Sequence, residues 1–172
     1  MGALCKDNDL IKKCYDLSNY CFKDKKWNDR CNTAASFICK YEKILDLGAG
    51  IENFKNFIKN DIYVPVDKQR VTDRTIVADF NNNLPDIGND FTIVCLGLLE
   101  YLSDVPKFLK EIHKYGKKLV VSYYQKPIPV SIWKNNFKYP VIIQFLKESG
   151  WLIEEMEIVG TTKEIVFLCK GE

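Results

Sequence analysis

The chain has a single histidine, no Cys-x-x-Cys pair, and no apolar run approaching the roughly 20 residues that a membrane-spanning helix needs. Its charges nearly cancel, 25 basic residues against 23 acidic ones, for a net charge of +2. Each shortage excludes something. A near-neutral balance supplies no electrostatic footprint for a nucleic acid or an anionic membrane surface. The densest basic stretch, residues 23–26, is broken by Asp24 and suits a solvated face. Without a long apolar run or a recognisable leader, neither a membrane nor a secretory route is expected. The seven cysteines are an odd number, and the first five are spaced by nine, seven, ten and eight residues. Such spacings suit helix positions better than a disulfide framework or a zinc module, so no metal is expected and a reducing cytoplasm is. His113 lies well inside a helical segment beside its apolar face and reads as a surface residue.

What is present is ordinary globular material: 172 residues, 47% hydrophobic and 28% charged. That length suits one domain burying roughly 70% of its unfolded surface. The organising stretch is Lys43-Ile44-Leu45-Asp46-Leu47-Gly48-Ala49-Gly50. A short apolar run ends in two glycines one residue apart, and Ile51, Phe54, Phe57 and Ile58 then recur at helical spacing. The implied geometry is strand, tight turn and helix over about 51–59, whose N-terminal amides would face an anionic or polar ligand. A dinucleotide fingerprint would need glycine or alanine where Asn53 stands, which disfavours a nicotinamide-dependent oxidoreductase.

Before this stretch, residues 1–40 show no strand alternation. Leu10, Ile11, Cys14 and Leu17 mark one helix; Cys31, Ala34, Ala35, Ile38 and Cys39 mark another, with Asn19 to Phe22 and Trp27 between them. They are expected to form a helical cap on the α/β core, residues 41–172. In the core, strands are expected at 43–47, 62–66, 75–78, 91–96 and 118–123. A helix starts near Ser103 or Asp104, buries Val105, Phe108, Leu109 and Ile112, and ends at Gly116. A further helix spans about 140–149. Two last strands, about 151–159 and 164–169, are joined at Gly160-Thr161-Thr162 and should pair antiparallel. The alternation implies a mostly parallel sheet.

From Asp46 the motif reads Asp-x-Gly-x-Gly, and at this point the chain resembles the class I S-adenosylmethionine (SAM)-dependent methyltransferases, of the type 11/12 kind. Their first motif is (Asp/Glu)-x-Gly-x-Gly-x-Gly, and Glu52 stands here where they carry the third glycine, setting a carboxylate at the pocket mouth. The resemblance covers about 43–170 and implies a Rossmann-like sheet of seven strands, in the order 3-2-1-4-5-7-6, with the last strand antiparallel. Residues 78–123 also resemble, more weakly, the MetW-like methyltransferases, through an acidic residue, a Leu-Pro turn and the Gly-Lys-Lys-Leu-Val-Val-Ser strand.

The resemblance implies SAM as cofactor and a small-molecule acceptor, bound through Asp46, Gly48, Ala49, Gly50, Asp67, Lys68, Asp79, Phe80, Leu96 and Gly97. Asp67, 19 residues after Gly48, stands where nucleotide-binding α/β folds place an acid for ribose hydroxyls. Asp79 would meet the adenine amino group, with Phe80 either beside the ring or in the core. Leu96 and Gly97 would follow the methionine part. Glu100, Tyr101 and Tyr124 are the candidates near the transferred methyl, Tyr101 occupying a position where relatives carry histidine. The acceptor pocket would be roofed by the N-terminal helices and the loop 125–136, and Tyr20, Trp27, Tyr124 and Trp133 could line it. The alternative reading is a degenerate methyltransferase-fold module that binds a partner protein without catalysis, favoured by Glu52 and Tyr101.

Overall fold

The computed structural model describes residues 25–125, 132–160 and 162–172. The expected helix near residues 10–17, Tyr20 and residues 126–131 of the loop 125–136 lie outside them. The helices are α1 (Lys25–Ser36), α2 (Val105–Glu111) and α3 (Tyr139–Glu148). The strands are β1 (Ile44–Leu47), β2 (Tyr63–Asp67), β3 (Ile76–Val77), β4 (Thr92–Cys95), β5 (Lys118–Tyr123), β6 (Trp151–Ile158) and β7 (Ile165–Gly171). None of the described helices is long and apolar enough to cross a membrane.

The strands form one seven-stranded sheet, ordered β3-β2-β1-β4-β5-β7-β6. All pairings are parallel except those of β7, which runs antiparallel to both β5 and β6. This is the sheet the sequence led us to expect, down to the terminal hairpin. β1 and β4 are buried along their whole length, as near-continuous apolar runs in a doubly covered sheet should be.

Strand pleating sorts these side chains onto two faces. Leu45, Leu47, Ile93, Cys95, Leu119, Val121 and Phe167 join the larger core under α2 and α3. Ile44, Val94, Leu96, Val120 and Val166 form a smaller core with Cys31 and Ala34 of α1. The two-residue period that places Ile44 on the α1 face also places Asp46 there, inside the smaller core. A polar residue standing in an apolar register therefore becomes a buried carboxylate.

α2 begins where Asp104 accepts a hydrogen bond from the Lys107 amide at 3.0 Å, with Pro106 in its first turn. It continues as a short 3₁₀ segment, Ile112–Tyr115, and stops at Gly116, where any Cβ would collide with the Phe91 carbonyl.

Two expectations are corrected. The helix predicted over 51–59 is only a five-residue 3₁₀ turn, Asn53–Phe57, entered through Glu52 in the left-handed region at φ 59°. A left-handed residue interrupts the ladder of helical hydrogen bonds, and Asn53, Asn56 and Asn60 are weak helix formers. His113 is not a plain surface residue. Its ring stacks on Trp151 at 3.9 Å and 14°, and its Nε2 lies 2.7 Å from the Ser149 carbonyl.

Candidate functional site

Two clefts flank the sheet's two ends. The larger, about 820 Å3, lies at the N-terminal ends of β4 and β5, where Lys43 pairs with Asp90 and Lys118 with Glu42. The smaller, about 200 Å3, lies at the carboxyl ends of β1 and β4, next to the point where strand order reverses. Open α/β sheets bind ligands at that second location. The smaller cleft is the candidate site.

Its floor is the β1 turn. Gly48 and Ala49 both donate backbone hydrogen bonds to the Val66 carbonyl, at 2.8 and 3.1 Å, which folds the turn back over β2. Gly48 adopts φ 78°, and a Cβ there would stand 3.1 Å from the Leu98 side chain. Gly50 adopts φ 52° and faces open space. Asp67, at the end of β2, accepts from the Gly50 amide at 2.8 Å and from the Gln69 amide at 3.1 Å. The same carboxylate therefore ties the glycine turn to the neighbouring strand.

The opposite wall is Leu96 and Gly97, whose amide donates to the Ser122 hydroxyl at 2.9 Å. Gly97 is required here: φ is 68°, and a Cβ would lie 2.6 Å from Arg30 Nη1. α1 supplies the roof through Trp27, Arg30 and Cys31. These follow the same i, i+3, i+4 stripe as the buried Ala34, with an arginine set into it. The guanidinium lies 4.0 Å from the Trp27 ring centroid and 3.2 Å from Glu164 of the β6–β7 connection. Its Nε is buried without a hydrogen-bond partner.

Asp46 is 2% exposed in the cleft wall and accepts the Tyr63 hydroxyl at 2.5 Å. Burial pushes its carboxyl up to about 7 against the opposing pull of that hydrogen bond, with Asp67 and Glu52 raising it further. Burial also lifts the Cys31 thiol to about 11, which keeps it protonated and unreactive.

Of the expected cofactor residues, Asp46, Gly48, Ala49, Gly50, Leu96 and Gly97 line this cleft, and Asp67 braces it. Lys68 and Asp79 pair with each other at 3.0 Å beyond it, and the lysine holds the Asp79 carboxyl below its usual range. Phe80 is half-buried and packs edge-on against Phe108 at the margin of the larger core.

Glu52 overturns its expectation. Its side chain turns away from the cleft toward the β2–β3 connection, where it accepts from Thr72 Oγ1 at 2.5 Å and Thr75 Oγ1 at 3.2 Å and pairs with Arg74 at 2.8 Å. The position calls for a left-handed backbone. Glycine meets that demand freely, and glutamate meets it with a buried network to hold it.

Among the catalytic candidates, Glu100 is 2% exposed, and its Oε1 accepts from the Tyr124 amide at 2.8 Å. Its Oε2 is buried without a partner, and burial pushes its carboxyl up to about 7. Tyr124 packs edge-on against Trp133 at 6.2 Å. Tyr101, by contrast, turns outward and is exposed. Arg30 and Glu164 were not foreseen: an arginine set in an apolar stripe was the one available signal for the first, and nothing local marks the second.

No protein-family model matches the chain, and no curated protein matches it by sequence. Solved structures do match by shape. A chain of the Haloferax volcanii complex between the Trm112 methyltransferase activator and a methyltransferase superposes with a TM-score of 0.72 at 13% identity, covering 91% of this chain and 95% of that one. The Burkholderia thailandensis 1,6-didemethyltoxoflavin-N1-methyltransferase, solved with its substrate and S-adenosylhomocysteine, gives 0.72 at 13% identity, covering 95% and 86%. The magnesium protoporphyrin IX methyltransferase of Synechocystis, with S-adenosylhomocysteine bound, gives 0.59 at 12%, covering 77% and 75%. The fold is therefore the Rossmann-like fold of the SAM-dependent methyltransferases.

Proposed function

We propose that this chain, as a single domain, binds SAM in the cleft at the ends of β1 and β4 and transfers its methyl group to a small-molecule acceptor. The observation that carries this is the convergence of Asp46, the Gly48–Gly50 turn and Gly97 beneath a buried Arg30 whose Nε lacks a partner. These groups fit the cofactor. The turn leaves open space above Gly50, Gly97 admits the guanidinium where a larger residue could not, and Arg30 offers an unused donor to a carboxylate.

In this reading Asp67 receives the ribose hydroxyls while keeping its hold on the Gly50 amide. Asp79, set by Lys68, faces the adenine amino group, and Leu96 and Gly97 flank the methionine part. SAM supplies an activated methyl on a sulfonium, so the protein's work is chiefly alignment. Glu100 is the group suited to accept a proton from the acceptor, because a buried carboxyl near 7 is balanced between its two forms. Its bond from the Tyr124 amide sets its position, and Tyr124 with Trp133 offers an aromatic wall to the acceptor. The likeness to MetW-like enzymes covers one segment and names no acceptor. Cys31, Cys39, Cys95 and Cys169 are all free thiols, which suits a reducing, cytoplasmic setting.

The partner-binding alternative drew on Glu52 and Tyr101. With Glu52 turned away from the cleft, one of those supports is gone. Incubating the protein with SAM and a panel of hydroxyl- and amine-bearing acceptors, and following S-adenosylhomocysteine, tests the proposal. Acceptor-dependent release, lost in Glu100→Gln, supports methyl transfer. SAM binding without release for any acceptor favours the module.

A further inference from the structure

The acids around the cleft divide into two kinds. Glu164 has Arg30, Glu52 has Arg74 and Asp79 has Lys68 as a cationic partner, at 3.2, 2.8 and 3.0 Å. Among the described residues, Asp46, Asp67 and Glu100 have none. Asp46 is held by the neutral Tyr63 hydroxyl, Asp67 by two backbone amides, and Glu100 by the Tyr124 amide alone. Arg30 offsets them only in part, since its charge is shared with the buried Glu164. The cleft therefore carries surplus negative charge in a poorly hydrated wall. A buried carboxylate without a cation is costly, and the cost falls when a cation arrives.

The buried, unpartnered Arg30 Nε in the same wall marks the cleft independently as a ligand site. It stands on α1, whereas Asp46 lies on β1, so the cleft presents a donor and an acid from different elements.

We infer that this cleft discriminates by charge, preferring a cofactor with a positive centre, a sulfonium or an ammonium in its place, over the uncharged thioether left after transfer. The inference rests on the proposed SAM site and deepens it. Asp46 is the primary determinant, with Asp67 reinforcing it from the end of β2 and Glu100 from the buried 3₁₀ turn that follows β4. Loss of the methyl removes the sulfonium charge and leaves only the α-ammonium of the amino-acid part to compensate these acids, so transfer itself weakens the hold on the product.

The preference must depend on pH. Asp46 is faced by Tyr63 and Asp67 from β2, Arg30 and Cys31 from α1 and Glu52 from the turn; Glu100 is faced by Glu164, Arg30 and the Tyr124 amide. Burial leaves Asp46 and Glu100 largely protonated in mildly acid solution, where the surplus vanishes. A bound cation favours their ionised forms, so SAM binding releases protons near neutrality and S-adenosylhomocysteine binding does not.

The test is calorimetric titration of the intact protein with SAM, S-adenosylhomocysteine and sinefungin, which carries an ammonium in place of the sulfonium, at pH 6 and pH 8. At pH 8 both cations should bind about tenfold more tightly than S-adenosylhomocysteine, and the ratio should shrink to about threefold at pH 6. Asp46→Asn, which can still accept the Tyr63 hydroxyl, should level the ratio at pH 8. Glu100→Gln should lower it in part and serves if the first variant is unstable. Tight binding of all three with a ratio near one, at both pH values, overturns the inference and leaves the proposed site intact. Binding of none overturns both.

Discussion

Tyr63 donates its hydroxyl to Asp46 at 2.5 Å inside the smaller of the two cores, joining β2 to β1 beneath the glycine turn. The pair is a polar inclusion in an apolar layer, tolerated because each group answers the other. It also makes Asp46 a carboxyl that prefers its proton.

That preference fixes the sign of one pH effect. A carboxyl near 7 in the folded state, against an ordinary 3.8, binds more protons folded than unfolded between those values. Stability on its account is present at low pH and falls as pH rises from about 4 through about 7, by at most about 4 kcal/mol. Glu100, also near 7, acts in the same direction. Urea denaturation at pH 5.5 and 8 should show lower stability at the higher pH, and Asp46→Asn should flatten the slope. A slope unchanged in the variant would place its origin elsewhere.

Glu52→Ala keeps the left-handed strain and loses the bonds to Thr72, Thr75 and Arg74. A destabilisation of about 2 kcal/mol is expected, and Glu52→Gly should recover about 1 kcal/mol of it by relieving the backbone. Because the side chain faces away from the cleft, the Kd for S-adenosylhomocysteine should change little in either. A marked loss of affinity would put this carboxylate on the ligand after all.

Gly97→Ala places a methyl 2.6 Å from Arg30 Nη1 on a backbone at φ 68°. The backbone strain alone costs roughly 1–2 kcal/mol. The guanidinium must also shift, so cofactor affinity should fall with stability. Unaltered affinity would show that Arg30 does not contribute to binding.

Asp67→Ala removes the acceptor for the Gly50 and Gln69 amides as well as the proposed ribose contact. A loss of about 1–2 kcal/mol in stability should accompany a far larger loss of cofactor affinity. Wild-type affinity in a folded Asp67→Ala protein contradicts the role assigned to this residue.

Arg30→Met leaves Glu164 buried at 3% exposure without its cation. Removing one partner of such a pair costs about 3–5 kcal/mol, whereas Arg30→Met with Glu164→Leu should recover much of it. Thermal denaturation of the single and double variants checks this, and equal losses in both would deny the coupling.

The sheet was legible because its strands are buried on both faces: β5 falls on the expected residues 118–123, and the close of the chain reads as a hairpin from Gly160. The glycine turn was legible too, since Gly48 and Gly50 both need positive φ. Strand order came from resemblance, because spacing alone does not encode it. The helix after the turn was misread, since Phe54 and Ile58 carry helical spacing while Glu52 takes a conformation that spacing cannot express. Glu164 was invisible because its partner Arg30 is 134 residues away in sequence. Long-range ion pairs leave no local pattern, and Arg30, one of the three roof residues, depends on one.

The most direct measurement is calorimetric titration of the protein with S-adenosylhomocysteine, with NAD as the control. Saturable micromolar binding of S-adenosylhomocysteine alone is the result expected of a cleft built from Asp46, Gly48, Gly97 and Arg30. Binding of NAD alone, or of neither compound, contradicts the assignment of this cleft to SAM.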